Sequence, residues 1–168
     1  PERWAGDGII AAVDDARDLD ALTRAGVPLV SVGVAAVDPG RVPSVRVDAE
    51  AAGRLAAEHL LDAGLRSFAF IGVHRAFGAA DERLEPAFLD RIGEAGASVR
   101  IFPPPADPEA GHPGARDRLA AWLADGRLPV GVLAATDADV LAVIEAGRLT
   151  GLRIPEDVAI VAAVHDPL

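Results

Sequence analysis

The feature that most constrains this chain is a rhythm. Short, nearly uninterrupted apolar runs alternate with amphipathic stretches of helical length. The runs are 8–13 (Gly8-Ile9-Ile10-Ala11-Ala12-Val13), 28–32, 68–72, 98–102, 130–135 and 158–164. A strand that is apolar on both faces belongs to a sheet covered on both faces, and such sheets are mostly parallel. Parallel strands need long connections, and helices supply them. The expectation is an α/β fold of doubly wound parallel sheets with right-handed crossovers.

The stretches between the runs carry helix punctuation. Residues 14–24 read as a helix with Leu19 and Leu22 inward and Gly26 as its stop. Asp48 precedes a helix over 49–63 whose Leu55, Ala56, Leu60 and Leu61 form the expected inner stripe. A helix over 81–95 contains Pro86, so it should begin late or kink. Residues 113–124 and 137–150 complete the set, with Trp122 expected in the core of the former. Residues 33–43 and 103–111 are rich in Gly and Pro and read as loops. The alternation in Ser44-Val45-Arg46-Val47 predicts a short strand with one wet face. The long loop and short strand before Asp48 interrupt the pattern, which suggests a boundary there.

Composition removes several classes of function. All 16 basic residues are arginines, so a Walker-A lysine, a Schiff-base lysine and a receiver-domain lysine are absent. The chain has no cysteine, which excludes disulfides and thiolate chemistry. A net charge of −10 repels phosphate backbones, so DNA contacts are expected only through a separate domain. No apolar run approaches the roughly 20 residues that span a bilayer. The chain begins at Pro1 and contains no methionine, so a piece of a longer protein is expected. G-x-S-x-G, H-E-x-x-H and G-x-G-x-x-G are all missing, and no enzyme, cofactor or metal site is expected.

In doubly wound folds ligands bind beyond the carboxyl ends of the strands. That rule selects Asp14, His74, Thr136, Asp137, His165 and Asp166. Thr136-Asp137 ends one apolar run and opens a helix. A side-chain oxygen there can cap the helix, accept from ligand hydroxyls, or do both. Asp137 and Asp139 would point about 200° apart on a helix, which argues against a shared metal. Asp14 and Asp15 follow a strand and suit capping in the absence of a lysine. His74 and His165 stand at strand ends, where an imidazole can donate to or accept from a hydroxyl. His59 and His112 read as surface or packing residues. Arg83 has two readings, a fork for sugar hydroxyls or a solvated partner of Asp81, Glu82 and Glu85.

Three stretches carry a resemblance. The first is Trp4-Ala-Gly-Asp-Gly-Ile-Ile10 followed by Gly26-Val-Pro-Leu-Val30. The second is Val47-Asp48, then Ala52-Gly-Arg-Leu-Ala-Ala-Glu-His-Leu60, then Gly64-Leu-Arg-Ser-Phe-Ala-Phe-Ile-Gly72. The third is Thr136-Asp137 followed by Gly151-Leu-Arg-Ile-Pro-Glu-Asp-Val158. Together they resemble the effector-binding domain of lactose-repressor-type transcription regulators, and the first and third are most similar to the xylose-regulator branch.

The resemblance implies a two-lobed, periplasmic-binding-protein-like fold, incomplete in this segment. Residues 1–47 would be the later part of the N-terminal lobe and 48–168 most of the C-terminal lobe. It implies a small-molecule effector, most simply a sugar, held in an interlobe cleft of a cytoplasmic homodimer. Two anchors depart from the family pattern. Leu84 stands four residues before the aromatic Phe88, where the family has an arginine, and Arg83 is about 100° away around a helix. Val164 stands where the family has an aspartate, beside His165 and Asp166. Asp137 is the anchor in place. The effector then differs from a simple pentose, or binding has been lost. A transporter's secreted sugar-binding protein and an effector-independent dimerisation scaffold share the same architecture and are the alternatives.

Overall fold

A computed structural model describes residues 6–13, 16–33, 40–72, 83–103 and 114–163. The described residues divide into two compact units, one up to Asp48 and the other from Ala49 onward.

The first unit contains β1 (Ile9–Ala12), α1 (Ala16–Thr23), β2 (Leu29–Gly33) and β3 (Ser44–Arg46). The strands form a parallel sheet in the order β1-β2-β3, with Ile9 opposite Leu29 and Ser31 opposite Ser44. Val13, Leu19 and Leu29 are its buried centre, flanked by Ile9, Ala11, Leu22 and Val42. Gly26 follows α1 at φ 70°, a left-handed turn that a side chain would strain. All three residues of β3 are exposed, Val45 at 65%, so the alternation marked a strand but no buried face. β3 is an edge strand hydrogen-bonded to β2, and the sheet ladder rather than burial holds it.

The second unit contains α2 (Ala49–Asp62), β4 (Ser67–Ile71), α3 (Leu84–Glu94), β5 (Val99–Ile101), α4 (Ala115–Ala124), β6 (Val130–Ala134), α5 (Asp137–Thr150) and β7 (Val158–Ala162). Its sheet is parallel throughout, in the order β5-β4-β6-β7. Helices α2 and α3 pack together, as do α4 and α5. The pleat sorts β4 between two buried clusters. Phe68 and Phe70 join Leu60, Leu84, Phe88, Ile92 and Leu133. Ala69 and Ile71 join Leu119, Leu123, Val132, Val143 and Val158. Every residue of β6 is buried, as the sequence run 130–135 implied. Gly131 leaves room on that strand: a β-carbon there would be 2.9 Å from Leu65 and 3.1 Å from Leu60.

Two details depart from the sequence reading. The inner face of α2 is Ala49, Gly53, Ala56, Ala57 and Leu60, while Leu55 is 67% exposed. Trp122 is only half-buried; it meets Phe102 edge-on at 5.3 Å, with the Arg100 guanidinium 4.3 Å from its ring centre. The start of α3 follows the expected delay. The helix begins at Leu84, which puts Pro86 in its first turn, where the missing N–H disrupts nothing.

The turn before β7 is braced by charge. Arg153 gives Asp157 two guanidinium hydrogen bonds and one backbone N–H bond, each 2.9 Å. These contacts hold the Asp157 carboxyl down at about 2. The Asp157 carbonyl accepts the Val130 N–H at 3.0 Å, tying the turn to the start of β6.

Candidate functional site

The sheet order of the second unit defines where a ligand can approach. The chain leaves β4 for β5 on one side, then returns past β4 to β6 on the other. The reversal falls between β4 and β6, so the crossovers diverge and leave a crevice at the strands' carboxyl ends. Ala135 donates its N–H to the Ile71 carbonyl at 2.9 Å, and Ala163 donates to Ala134 at 2.9 Å. The strands therefore stay paired to the rim, and Thr136-Asp137 emerges from a rigid edge.

Thr136 is extended (φ −137°, ψ 164°) and caps α5 by accepting the Asp139 N–H at 3.2 Å. Its hydroxyl donates to the Asp139 carboxylate at 2.8 Å. Asp139 is fully buried. Asp137 is the first helical residue and half-buried, at the positive end of the helix dipole. The capping role thus falls on Thr136, and Asp137 stands at the rim. An ionised carboxylate there accepts hydrogen bonds and donates none.

Arg83 is exposed just ahead of α3, where its carbonyl accepts the Ala87 N–H at 3.0 Å. Its neighbour Leu84 is 3% exposed and belongs to the core under α2 and α3. The position where the family resemblance expects an arginine anchor is therefore a packing position. Asp14, His74, Val164, His165 and Asp166 lie outside the described residues, as does Trp4. Thr136 and Asp137 come together at the switch point.

Asp139 is the residue that sequence reasoning missed. The signal was the T-x-x-D spacing of a capping box, which predicts reciprocal bonding between first and fourth residues. A second concavity lies in the same unit, a groove of about 480 Å³ between α2 and β7. Ala52, Leu55, Ala56 and His59 line one wall, and residues 160–163 the other. Among the described residues no group of three or more acidic or histidine side chains is placed to hold a metal. Among them, too, no helix is long and apolar enough to cross a membrane.

Residues 57–168 match the periplasmic binding protein-like domain. The xylose operon regulatory protein of Escherichia coli K12 is 29% identical over 98% of this chain and 43% of its own length. A solved xylose-binding transcription activator, xylR, superposes with a TM-score of 0.75 at 30% identity, covering 96% of this chain and 43% of that one. A LacI family regulator from Mycobacterium smegmatis gives 0.63 at 28% identity, covering 95% of this chain and 58% of that one. The chain thus spans less than half the length of the xylose regulators it matches. It belongs to the periplasmic binding protein-like domain family, in the form carried by xylose-operon and LacI-type transcription regulators.

Proposed function

We propose that this chain is the effector-sensing part of a bacterial transcription regulator, and that it binds a sugar or a similar small polar metabolite. The observation that carries the reading is Thr136-Asp137 at the switch point between β4 and β6. An acceptor at the mouth of a crevice suits a ligand rich in hydroxyl donors. The relatives support the same class. One is named for xylose binding, and a LacI family regulator from Arthrobacter was solved with lactose. In this reading residues 1–47 form the later part of an N-terminal lobe and 48–168 most of a C-terminal lobe. The protein acts in the cytoplasm as a homodimer and reaches DNA through a separate domain. Effector binding shifts an existing equilibrium by its differential affinity for two states. Arg83, His74, His165, Asp166 and Asp14 are the further candidates for contact with the effector.

The test is a thermal-shift titration with D-xylose, D-ribose and lactose. A ligand that binds the folded state raises Tm in proportion to the logarithm of its excess over Kd. Asp137→Ala should abolish that rise. No rise with any of the three sugars would favour an effector-independent scaffold instead.

A further inference from the structure

Helix α5 turns one face to the core and leaves the other uncovered. Val143, Ala146 and Gly147 are buried, while Leu141 and Leu149 are 62% and 57% exposed. Ile144 lies half-buried beside them, as does Leu152 just past the Gly151 cap. Glu145 and Arg148 stand exposed in the middle of this apolar face. On a regular helix Leu141, Glu145, Arg148 and Leu149 fall within an arc of about 100°. Apolar surface gathered around a few charges marks a protein contact.

The order of these residues is self-complementary. Reversing the helix about the midpoint between Glu145 and Arg148 exchanges those two residues. It also exchanges Ile144 with Leu149 and Leu141 with Leu152. A two-fold axis through that midpoint lays a second α5 antiparallel on the first. Each charge then meets its opposite, and each apolar residue meets another. Helices that interlock their i±4 ridges touch only near their crossing point, and Leu141, Glu145 and Leu149 form such a ridge. The charges are available for this exchange. Arg116 of α4 meets Glu145 Oε2 at 2.9 Å, and the second carboxylate oxygen remains for another guanidinium. Among the described residues Arg148 meets no carboxylate, in a chain of net charge −10.

We propose that the outer face of α5 receives the same face of a second copy of this chain, and that the crossed Glu145–Arg148 pairs select an identical partner. The inference rests on the homodimer reading above and supplies its contact surface. A related chain with other charges at either position would leave an ion unpaired in a desolvated contact, and would bind less tightly.

Sedimentation equilibrium of the full-length protein tests this through the Kd of the dimer. Glu145→Arg and Arg148→Glu should each raise Kd about tenfold or more, because two like-charge contacts replace two opposite ones. Leu141→Asp should do the same by placing a charge among the apolar residues. The decisive sample mixes Glu145→Arg with Arg148→Glu. One variant then carries two cations on the face and the other two anions, so the mixed dimer regains both opposite contacts. Its Kd should return to within about threefold of the parent's. Glu145→Arg also loses the contact with Arg116, but that loss persists in the mixture, so recovery there isolates the contact between copies. A dimeric parent unmoved by all three substitutions would overturn the α5 surface and leave the homodimer reading standing. Weakening without recovery in the mixture would overturn the crossed pairing. A monomeric parent would overturn both readings.

Discussion

A β-carbon placed on Gly53 would lie 2.5 Å from the carbonyl oxygen of Leu84. The same atom would be 3.1 Å from the Phe88 nitrogen and 3.2 Å from the Ala87 β-carbon. Helix α2 therefore meets α3 backbone to backbone. Glycine inside a helix is unfavourable by about 1 kcal/mol relative to alanine, and the close approach offsets that loss. Gly53→Ala should lower stability by about 1–3 kcal/mol, because the helices must separate. Urea unfolding gives the value, and an unchanged midpoint would contradict the contact.

Thr136 and Asp137 should separate in their effects. Thr136→Ala removes the cap and should reduce stability by about 1 kcal/mol. Asp137→Ala leaves the cap and should change apo stability less, while eliminating the response to effector. Thermal unfolding with and without D-xylose reads both quantities. Equal losses of stability with an intact response would move Asp137 out of the site.

Leu84→Arg is the substitution that would restore the family's arginine. It should instead destabilise the fold by about 3 kcal/mol or more, since the side chain enters a core lined by Phe88, Phe68 and Leu60. Denaturant melts would record the loss. A stable variant with stronger sugar binding would show that the position faces the crevice after all.

Acid should reveal the Arg153–Asp157 brace. The Asp157 carboxyl lies at about 2 when folded and near 3.8 when free. A depressed folded value adds stability that is complete above about 4 and disappears as pH falls towards 2. Asp157→Asn should flatten stability against pH in that window and leave the rest of the profile unchanged. The effect should shrink in high salt, because Arg153 is 69% exposed. A profile identical to the parent's would remove the pair from the acid response.

The ion pairs across α2 and α3 should matter less than the glycine between those helices. Arg54 meets Glu94 through two 3.2 Å contacts, and Arg91 meets Glu58 at 3.2 Å. All four side chains keep substantial solvent contact. Arg54→Ala should shift the unfolding midpoint slightly, and 1 M salt should erase the difference. A large, salt-resistant loss would point to packing by the arginine stem instead.

The sequence made the strands of the second unit legible because covered strands carry long apolar runs. Phe68 to Ile71 and Val130 to Ala134 are buried along almost their whole length. Thr136-Asp137 was legible because capping chemistry and strand ends coincide there. The inner face of α2 was not, since Ala49, Gly53, Ala56 and Ala57 give little apolar signal and Leu55 gives a strong one while pointing to solvent. Asp139 was weighed only as a metal partner for Asp137, about 200° away on the helix, and nothing in the local pattern marked it as buried, since charge usually means exposure. Its bond to Thr136 helps to make burial tolerable, and that bond is a property of the folded turn. The topological rule chose the strand ends, but strand order decided which pair of them forms the crevice.

The pleat of β4 has a genetic consequence. Phe68 and Phe70 face the cluster with α2 and α3, while Ala69 and Ile71 face the one containing Leu119 and Leu123 of α4 and Val143 of α5. The sheet backbone lies between the two. A volume error on one side cannot be repaired by enlarging a residue on the other. Second-site suppressors of Phe70→Leu should therefore arise among neighbours such as Phe88, Ile92 or Leu133 and not at Val143 or Leu119. Epistasis in this unit should divide into two blocks, and each half can drift in sequence without consulting its twin.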